Sequence, residues 1–553
     1  MCANAKYLNA TLRGEWRFEG YVTSDCDAVG DVYTKFPGGH GFASPLNGTA
    51  MALKAGTDMD CGDWGPDAPG AYLQRLPGAL AAGLVSEEDL DRALLRLTRL
   101  QMELGLFDPK ATQPLFNLGE ETVHTDEHRQ YALEAAQQSI VLLANKHPQR
   151  RRAAGGQPLL QSRDHAAAIK PLLPLERGQH IAVIGPHYEG REVFLSNYHG
   201  SACLNATGGI APDGGYACIT SPLEAIATAN RGGETVGSLG CEVDSKLDEI
   251  DAAVAAASAA DVVVLMLGLD GRVEGEGHDR VEIALPGLQQ QLAAAVIATG
   301  TPVVIALVHG GATPLGDIRH NATAILDCFY GGERAAEALA SVLFGEYNPS
   351  GRLAVTVYDA SFVDAVPLTD MNITTGIGRT YMYYQGEPEF SFGDGLSYTV
   401  WSLSWSSGAA PAPLLLTTAG SSSSGGSNGS SNVRSNVSSS VGAYSATFTV
   451  TLRNAGRSGG TCTLLAFWRP LGGLHAPLRQ RLFGYGGLSL RPGEEGRLSF
   501  ELRAEERLAV ADEAGQRVLR AGSYEVFFKG AGDALSASLR MEGADRVVQP
   551  SLV

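Results

Sequence analysis

Four acidic side chains stand where they could do chemistry. Asp25 and Asp27 close the short run Tyr21-Val22-Thr23-Ser24 in GYVTSDCDAVGDVY, residues 20–33. Glu274 and Glu276, with His278, Asp279 and Arg280, fill GRVEGEGHDRVEIALPG (271–287), directly after the apolar run DVVVLMLGLD (261–270). Both segments read as the carboxyl end of a strand, the rim on which α/β folds carry their ligand-facing groups. Glycines flank the second cluster and let its loop reach away from the strand. One acid from each segment facing a common cleft is the equipment for breaking a glycosidic bond. One carboxylate attacks the anomeric carbon; the other protonates the leaving oxygen and then activates water, the pair standing about 5–5.5 Å apart in the retaining mechanism. On residue type alone, an acid at a strand end is more often a loop cap or ion-pair partner, and Glu274 and Glu276 read as a solvated loop.

The rest of the chain narrows the chemistry. Its 553 residues are long enough for three or four domains. The balance of 42 Lys+Arg against 60 Asp+Glu gives a formal charge of −18, which repels phosphate backbones and anionic membranes and is indifferent to a neutral sugar. The eight cysteines are dispersed (Cys2, Cys26, Cys61, Cys203, Cys218, Cys241, Cys328 and Cys462), with no C-x-x-C pair, so no zinc or thioredoxin-like site is expected, and no cofactor motif is present. VIGPHYEGRE follows a strand-like run but lacks G-x-G-x-x-G, which argues against nucleotide binding. Seven N-x-S/T sequons, at Asn9, Asn47, Asn205, Asn321, Asn372, Asn428 and Asn436, lean towards a secretory protein. The opening residues lack the apolar core of a signal peptide, and no apolar run is long enough for a transmembrane helix.

The positioning elements are legible in outline. In residues 1–115, GYVTSD and AGTDMDC (55–61) read as strands. SEEDLDRALLRLTRLQMELGLF (86–107) reads as a helix with Ser86 as N-cap, Asp89 three residues on, and Leu90, Leu94, Leu97 and Leu100 on one face, ended by Gly105. In residues 125–400, apolar strands (SIVLLAN, HIAVIGP, DVVVLMLGLD, TPVVIALVHGG, AILDCFY) alternate with helical stretches, which predicts a largely parallel sheet covered on both faces, with a basic insert at 147–168. The Ser/Gly-rich stretch 408–442 reads as a flexible linker or insertion. Residues 443–546 hold short alternating strands between Gly, Pro and Asn turns, the pattern of a β-sandwich.

At the two acidic segments the chain resembles glycoside hydrolase family 3, and most of all its plant-type β-xylosidase / α-L-arabinofuranosidase branch. The matching stretches run almost end to end: LRGEWRFEGYVTSDCDAV, ALKAGTDMDCG, EHRQYALEAAQQSIVLLAN, IAVIGP, EGEGHDRVEIALPGLQQQL, LFGEYNPSGRLAVTVY, GRTYMYY and FSFGDGLSYT. The closing APLRQRLFGYGGLSLRPGEEGRLSFEL resembles the family's fibronectin-III-like domain. The resemblance implies an incomplete (β/α)8 barrel remnant, an αβα sandwich and a C-terminal fibronectin-III-like β-sandwich. It implies a retaining exo-glycosidase acting on β-1,4-xylosides, or α-L-arabinofuranosides, in which Asp25 is the nucleophile and Glu276 the acid/base, with Glu274 the close alternative and Asp27 the lesser candidate for the nucleophile. Cys after the nucleophile fits the xylosidase branch, where Trp is common in glucoside-acting members, and Cys61 matches the cysteine expected to pair with Cys26. For Cys241 the resemblance offers a partner in either Cys203 or Cys218. His309 reads as a structural strand-end residue, and Trp16 and Trp64 as candidates to stack on a sugar face, Trp16 being more in keeping with a core position.

The resemblance also carries a departure. The family's barrel places its nucleophile late, whereas Asp25 stands near the start of this chain. Residues 1–115 would then supply the last two or so βα units, and the sugar-hydroxyl binders of the family would lie upstream. The expectation is an N-terminally truncated chain of a secreted or cell-wall enzyme, with β-glucosidase activity or non-catalytic sugar binding as the alternatives.

Overall fold

A computed structural model describes residues 1–34, 44–62, 70–148, 170–200, 203, 215–408, 414–417 and 445–549. Trp64, all but the first residues of the basic insert, and the sequons at Asn205, Asn428 and Asn436 lie outside them. The chain divides into two compact units, residues 1–123 and 124–551.

The first unit opens with a π-helical segment, Lys6–Glu15. Its two expected strands pair in parallel through one bridge, Thr23 to Met59. The Ser24 N–H donates to the Met59 carbonyl at 2.8 Å, and the Asp58 N–H donates to the Val22 carbonyl at 2.8 Å. Each strand runs on towards a helix: α1 (Ala28–Thr34) and α2 (Pro45–Ala55) follow the first, α3 (Ala71–Ala81) and α4 (Glu87–Glu103) the second. Ser44 caps α2 by accepting from the Asn47 N–H, and Pro45 takes the first helical position, where its missing N–H costs nothing. Ser86 and Asp89 form a reciprocal capping box on α4. Of the expected leucine stripe on α4, Leu90 packs with Ala93 against Ala50, Leu53, Ala79 and Val85, whereas Leu94 is 56% exposed. The face that periodicity picks out is wider than the small core available to it within this unit. Trp16, expected in a core, is 65% exposed and lies at the end of the π-helical segment.

The second unit is built on a six-stranded sheet in the order β1-β6-β5-β4-β2-β3. Its strands are β1 (Val141–Asn145), β2 (His180–Ile184), β3 (Glu234–Ser238), β4 (Val262–Gly268), β5 (Val303–Val308) and β6 (Ala324–Asp327). All neighbours are parallel except β1, which runs antiparallel to β6. β3 was not anticipated, because ETVGS is polar and carries a glycine; it is the partly exposed edge strand. The helices that accompany the sheet are α5 (Asp126–Ser139) before β1, the connecting α6 (Pro222–Ala229), α7 (Ile250–Ala259), α8 (Gln289–Ala298) and short α9 (Ile318–Asn321), and α10 (Ala335–Leu343) after β6.

Period-two alternation explains why the central strands read as unbroken apolar runs. Val262, Val264 and Met266 of β4 face one core together with Ile181, Val183, Val304 and Ala306. Val263, Leu265 and Leu267 face the other with Ala182, Ile184, Val303 and Ile305. Every residue of β4 and β5 is buried, and each large apolar side chain contributes about 1.5–3 kcal/mol by leaving water.

The C-terminal part is a β-sandwich. Its five-stranded sheet has the order β11-β10-β15-β16-β8 and its three-stranded sheet β12-β9-β7. The strands are β7 (Trp401–Trp405), β8 (Leu414–Thr417), β9 (Ser445–Asn454), β10 (Gly460–Pro470), β11 (Arg481–Leu490), β12 (Glu495–Arg503), β15 (Gly522–Lys529) and β16 (Ala534–Glu542); a small sheet holds β13 (Val510–Ala511), β14 (Arg517–Leu519) and β17 (Arg546–Gln549). Trp405, Phe448, Val450, Trp468, Tyr524 and Phe528 fill the space between the layers. Inside the stretch expected to be a linker, Leu414–Thr417 instead forms β8, parallel to β16. Three consecutive leucines supply the apolar content that the surrounding Ser/Gly run lacks.

Candidate active site

In the first unit, Asp25 follows the bridged strand and is exposed; its Oδ1 accepts from the Cys26 N–H at 2.8 Å. Its scaffold is polar and tightly satisfied. The buried Asp58 carboxylate takes Arg13 Nη2 at 2.6 Å, Arg96 Nη1 at 2.7 Å and the Val22 N–H at 2.9 Å. Ser24 Oγ accepts from the Cys61 N–H at 3.0 Å, and Asp60 Oδ2 accepts from the Tyr72 N–H at 2.9 Å. Cys26 and Cys61 are disulfide-bonded with their Cα atoms 4.6 Å apart, tying the loop after the first strand to the loop after the second. Asp27 adopts a left-handed φ of 62° and its N–H donates to the Gly62 carbonyl at 2.7 Å, so it serves the turn that opens α1. A cavity of about 390 Å³ beside Asp25 is lined by Leu8, Val22, Thr23, Ser24, Asp31 and Val32 among others.

In the second unit the acidic loop leaves the carboxyl end of β4. Gly268 ends that strand at φ +144°, where a Cβ would collide with the Val308 carbonyl. The fully buried Gln289 accepts from the Gly268 N–H and donates to the carbonyls of Gly268 and Val243. Asp270 binds the Arg272 guanidinium at 2.7 Å and its carbonyl accepts from the N–H groups of Val273 and Glu274, both at 3.0 Å. Gly275 and His278 then bridge, leaving Glu276 and Gly277 at the tip of a tight turn, with Gly277 at φ +77°.

The two glutamates, adjacent in the motif, have opposite surroundings. Glu274 turns inwards onto the ends of β5 and β6. Its Oε1 accepts from the Gly310 N–H at 2.7 Å, the Gly311 N–H at 3.0 Å and the Tyr330 hydroxyl at 3.0 Å. Its Oε2 accepts from the Gly311 N–H at 3.1 Å and faces Arg280 Nη2 at 3.3 Å. Glu276 is exposed and accepts from the Tyr198 hydroxyl. His278 Nδ1 lies 3.1 Å from the Gly271 carbonyl, and Asp279 is exposed.

Behind Glu274, the buried His309 places Nε2 3.0 Å from Asp327 Oδ1, an ion pair not aligned as a hydrogen bond. Burial pulls the His309 pKa down, but Asp327, with Glu274 beyond it, outweighs burial and raises it. Burial chiefly, with Glu274 next, pushes the Tyr330 hydroxyl far above its ordinary pKa, which keeps it a donor. At the end of β2, burial lowers the His187 imidazole to about 4.

The structure bonds Cys203 to Cys218 and leaves Cys241 a buried thiol. This corrects the expectation that Cys241 pairs with one of them: only 15 residues separate Cys203 from Cys218, and Cys241 is sealed in the core among Ile184, Ala253 and Leu292. Tyr198, Tyr330, Gln289 and the Gly310–Gly311 pair were not picked out from sequence. The double glycine was the available signal, since adjacent residues without side chains let a carboxylate approach two backbone N–H groups. Among the described residues no group of three His, Cys, Asp or Glu could hold a metal, and no helix is long and apolar enough to cross a membrane.

Comparison with known proteins joins these observations. Residues 140–398 match the Glycosyl hydrolase family 3 C-terminal domain and residues 465–531 the Fibronectin type III-like domain. The chain is 34% identical over 537 residues to probable beta-D-xylosidase 7 of Arabidopsis thaliana, covering 95% of this chain and 63% of that protein. It is 33% identical over 534 residues to beta-xylosidase/alpha-L-arabinofuranosidase 2 of Medicago sativa subsp. varia, covering 95% and 62%. Among solved structures it is similar to a GH3 exo-beta-xylosidase (XlnD) in complex with a xylobiose aziridine activity-based probe, with a TM-score of 0.80 and 27% identity over 100% of this chain and 65% of that one. A beta-glucosidase from Listeria innocua in complex with glucose gives a TM-score of 0.73 at 25% identity, over 98% and 66%. The chain thus spans less than two thirds of the length of these curated relatives. With both domains matched in order and the relatives aligned along 95% of the chain, it belongs to glycoside hydrolase family 3.

Proposed function

We propose that the protein is a retaining exo-glycosidase that removes β-1,4-linked xylosyl units from the non-reducing ends of xylo-oligosaccharides, in the breakdown of xylan at the cell wall or outside the cell. The observation that carries this reading is its likeness, along 95% of its length, to proteins named as β-xylosidases. Asp25 is the nucleophile. Its carboxylate attacks the anomeric carbon, the bond to the leaving oxygen breaks, and a covalent glycosyl-enzyme forms. Glu276 gives its proton to the departing oxygen, then takes one from the water that attacks the same carbon and frees Asp25. Its place at the tip of a glycine-flanked turn, with the Tyr198 hydroxyl as its partner, leaves the carboxyl group able to meet a substrate. The Glu274 carboxylate is engaged elsewhere, on the rim of β5 and β6.

The reading is tested by incubating the 553-residue chain with aryl β-xyloside, β-glucoside and α-L-arabinofuranoside. Xyloside turnover abolished by Asp25→Asn supports it. Glucoside turnover without xyloside turnover transfers the protein to the β-glucosidase reading, for which the Listeria innocua likeness speaks. Binding of xylobiose without hydrolysis would mark the chain as a sugar-binding module.

A further inference from the structure

The motif E-G-E carries two glutamates, and the catalytic reading uses one. We propose that Glu274 is the positioning residue for Glu276: it locks the loop of residues 270–280 onto the carboxyl ends of β5 and β6, so that the turn it carries holds the Glu276 carboxylate in a fixed place. The inference rests on the reading of Glu276 as the acid/base.

Three observations carry it. First, the acceptor capacity of Glu274 is taken up. Two backbone N–H groups, one hydroxyl and one guanidinium converge on its two oxygens, at 2.7–3.3 Å. A carboxylate has about four acceptor sites, and these four groups engage both of its oxygens. Second, the partners come from three elements. Gly310 and Gly311 follow β5, Tyr330 follows β6, and Arg280 closes the far side of the loop itself, where it also reaches the carbonyls of Ile283 and Ala312, both at 3.3 Å. Third, the cradle is shaped to this side chain. A Cβ on Gly310 would stand 3.0 Å from Glu274 Oε1, and one on Gly311 would stand 2.7 Å from Glu274 Oε2 and press on Arg280. A single residue, Gly275, separates Glu274 from Glu276, and the bridge from Gly275 to His278 carries the hold across the turn to the Arg280 side. Charge-assisted hydrogen bonds are the stronger kind, and here they converge on one half-buried group.

The experiment has two arms on the full chain. Hydrogen exchange is followed by mass spectrometry in Glu274→Ala, Glu274→Gln and Tyr330→Phe. Exchange should rise at the amides of Gly310 and Gly311 and across residues 270–280, most in Glu274→Ala and least in Tyr330→Phe, and stay unchanged in the β-sandwich. Unchanged protection of that loop overturns the proposal, whether or not the chain is active. In the kinetic arm, Glu274→Gln should lower kcat about 10–100-fold with KM little changed, more on xylobiose than on an activated dinitrophenyl xyloside, and azide should not restore it. Glu276→Ala should be restored by azide, which supplies the missing nucleophile in the second step. Azide rescue of Glu274→Ala would show that Glu274 is itself the acid/base and would overturn the proposal. Raised exchange with no turnover in any form would leave the anchor standing and remove the glycosidase reading.

Discussion

Gln289 exchanges two hydrogen bonds with the backbone of Gly268: its amide oxygen accepts from the Gly268 N–H and its amide nitrogen donates to the Gly268 carbonyl, both at 2.8 Å. A third bond runs from the same nitrogen to the Val243 carbonyl at 2.9 Å. A fully buried side chain on α8 therefore does the work of a missing neighbouring strand at the point where β4 gives way to the acidic loop. Gln289→Leu keeps the volume and strands three buried backbone groups. It should destabilise the protein by about 2–5 kcal/mol, read as a lowered urea midpoint; a midpoint within experimental error of wild type would mean the amide is dispensable.

The Arg13–Asp58–Arg96 cluster makes a second prediction. Both guanidinium groups meet one carboxylate whose side chain is only 2% exposed. Removing that charge leaves two arginines facing each other, so Asp58→Asn should cost about 3–5 kcal/mol in the unit that carries Asp25. The exposed Arg99–Glu19 pair, at 2.8 Å, provides the contrast: Glu19→Gln should cost less than about 1 kcal/mol. Proteolytic susceptibility of residues 1–123 against urea reads both, and equal effects would contradict the argument.

The Cys26–Cys61 bridge closes a loop with a sequence separation of 35. The chain-entropy model gives such a cross-link about 3–4 kcal/mol. Cys61→Ser and mild reduction should therefore lower the stability of the first unit by similar amounts. If the bridge also braces the Asp25 loop, xyloside turnover should fall before the unit unfolds as reductant is raised. Activity and proteolytic resistance lost together would confine the bridge to a stabilising role.

His187 predicts a pH dependence. It is 3% exposed, its Nε2 has no hydrogen-bond partner, and burial lowers it to about 4, with Asp270 opposing and Arg272 assisting. Between about pH 6.5 and that value the unfolded chain binds a proton that the folded chain does not, so the unfolded state gains as the pH falls. The stability present above about pH 6.5 is thus lost on acidification, by about 3 kcal/mol for this one group. His187→Leu should flatten that part of the Tm–pH curve; an unchanged slope would remove His187 from the account.

The sequence determined the layers and the place of the acids. Hydrophobic runs such as VVVLMLG and VVIALV have no period because both faces of a central parallel strand are buried, and this was enough to expect a doubly covered sheet. The capping box at Ser86 and Asp89 marked the start of α4, since its chemistry is local to four residues. What lay beyond the sequence was everything set by contacts between distant segments. The polar edge strand β3 forms because β2 offers it a ladder of backbone partners, and Leu414–Thr417 pairs because β16 presents an open edge. Cys203 takes Cys218 and leaves Cys241 alone in the core. Above all, residue type alone does not tell the two glutamates of E-G-E apart, and the opposite surroundings they have in the fold depend on donors to Glu274 that arrive from Gly310, Gly311 and Tyr330, 36 to 56 residues away along the chain.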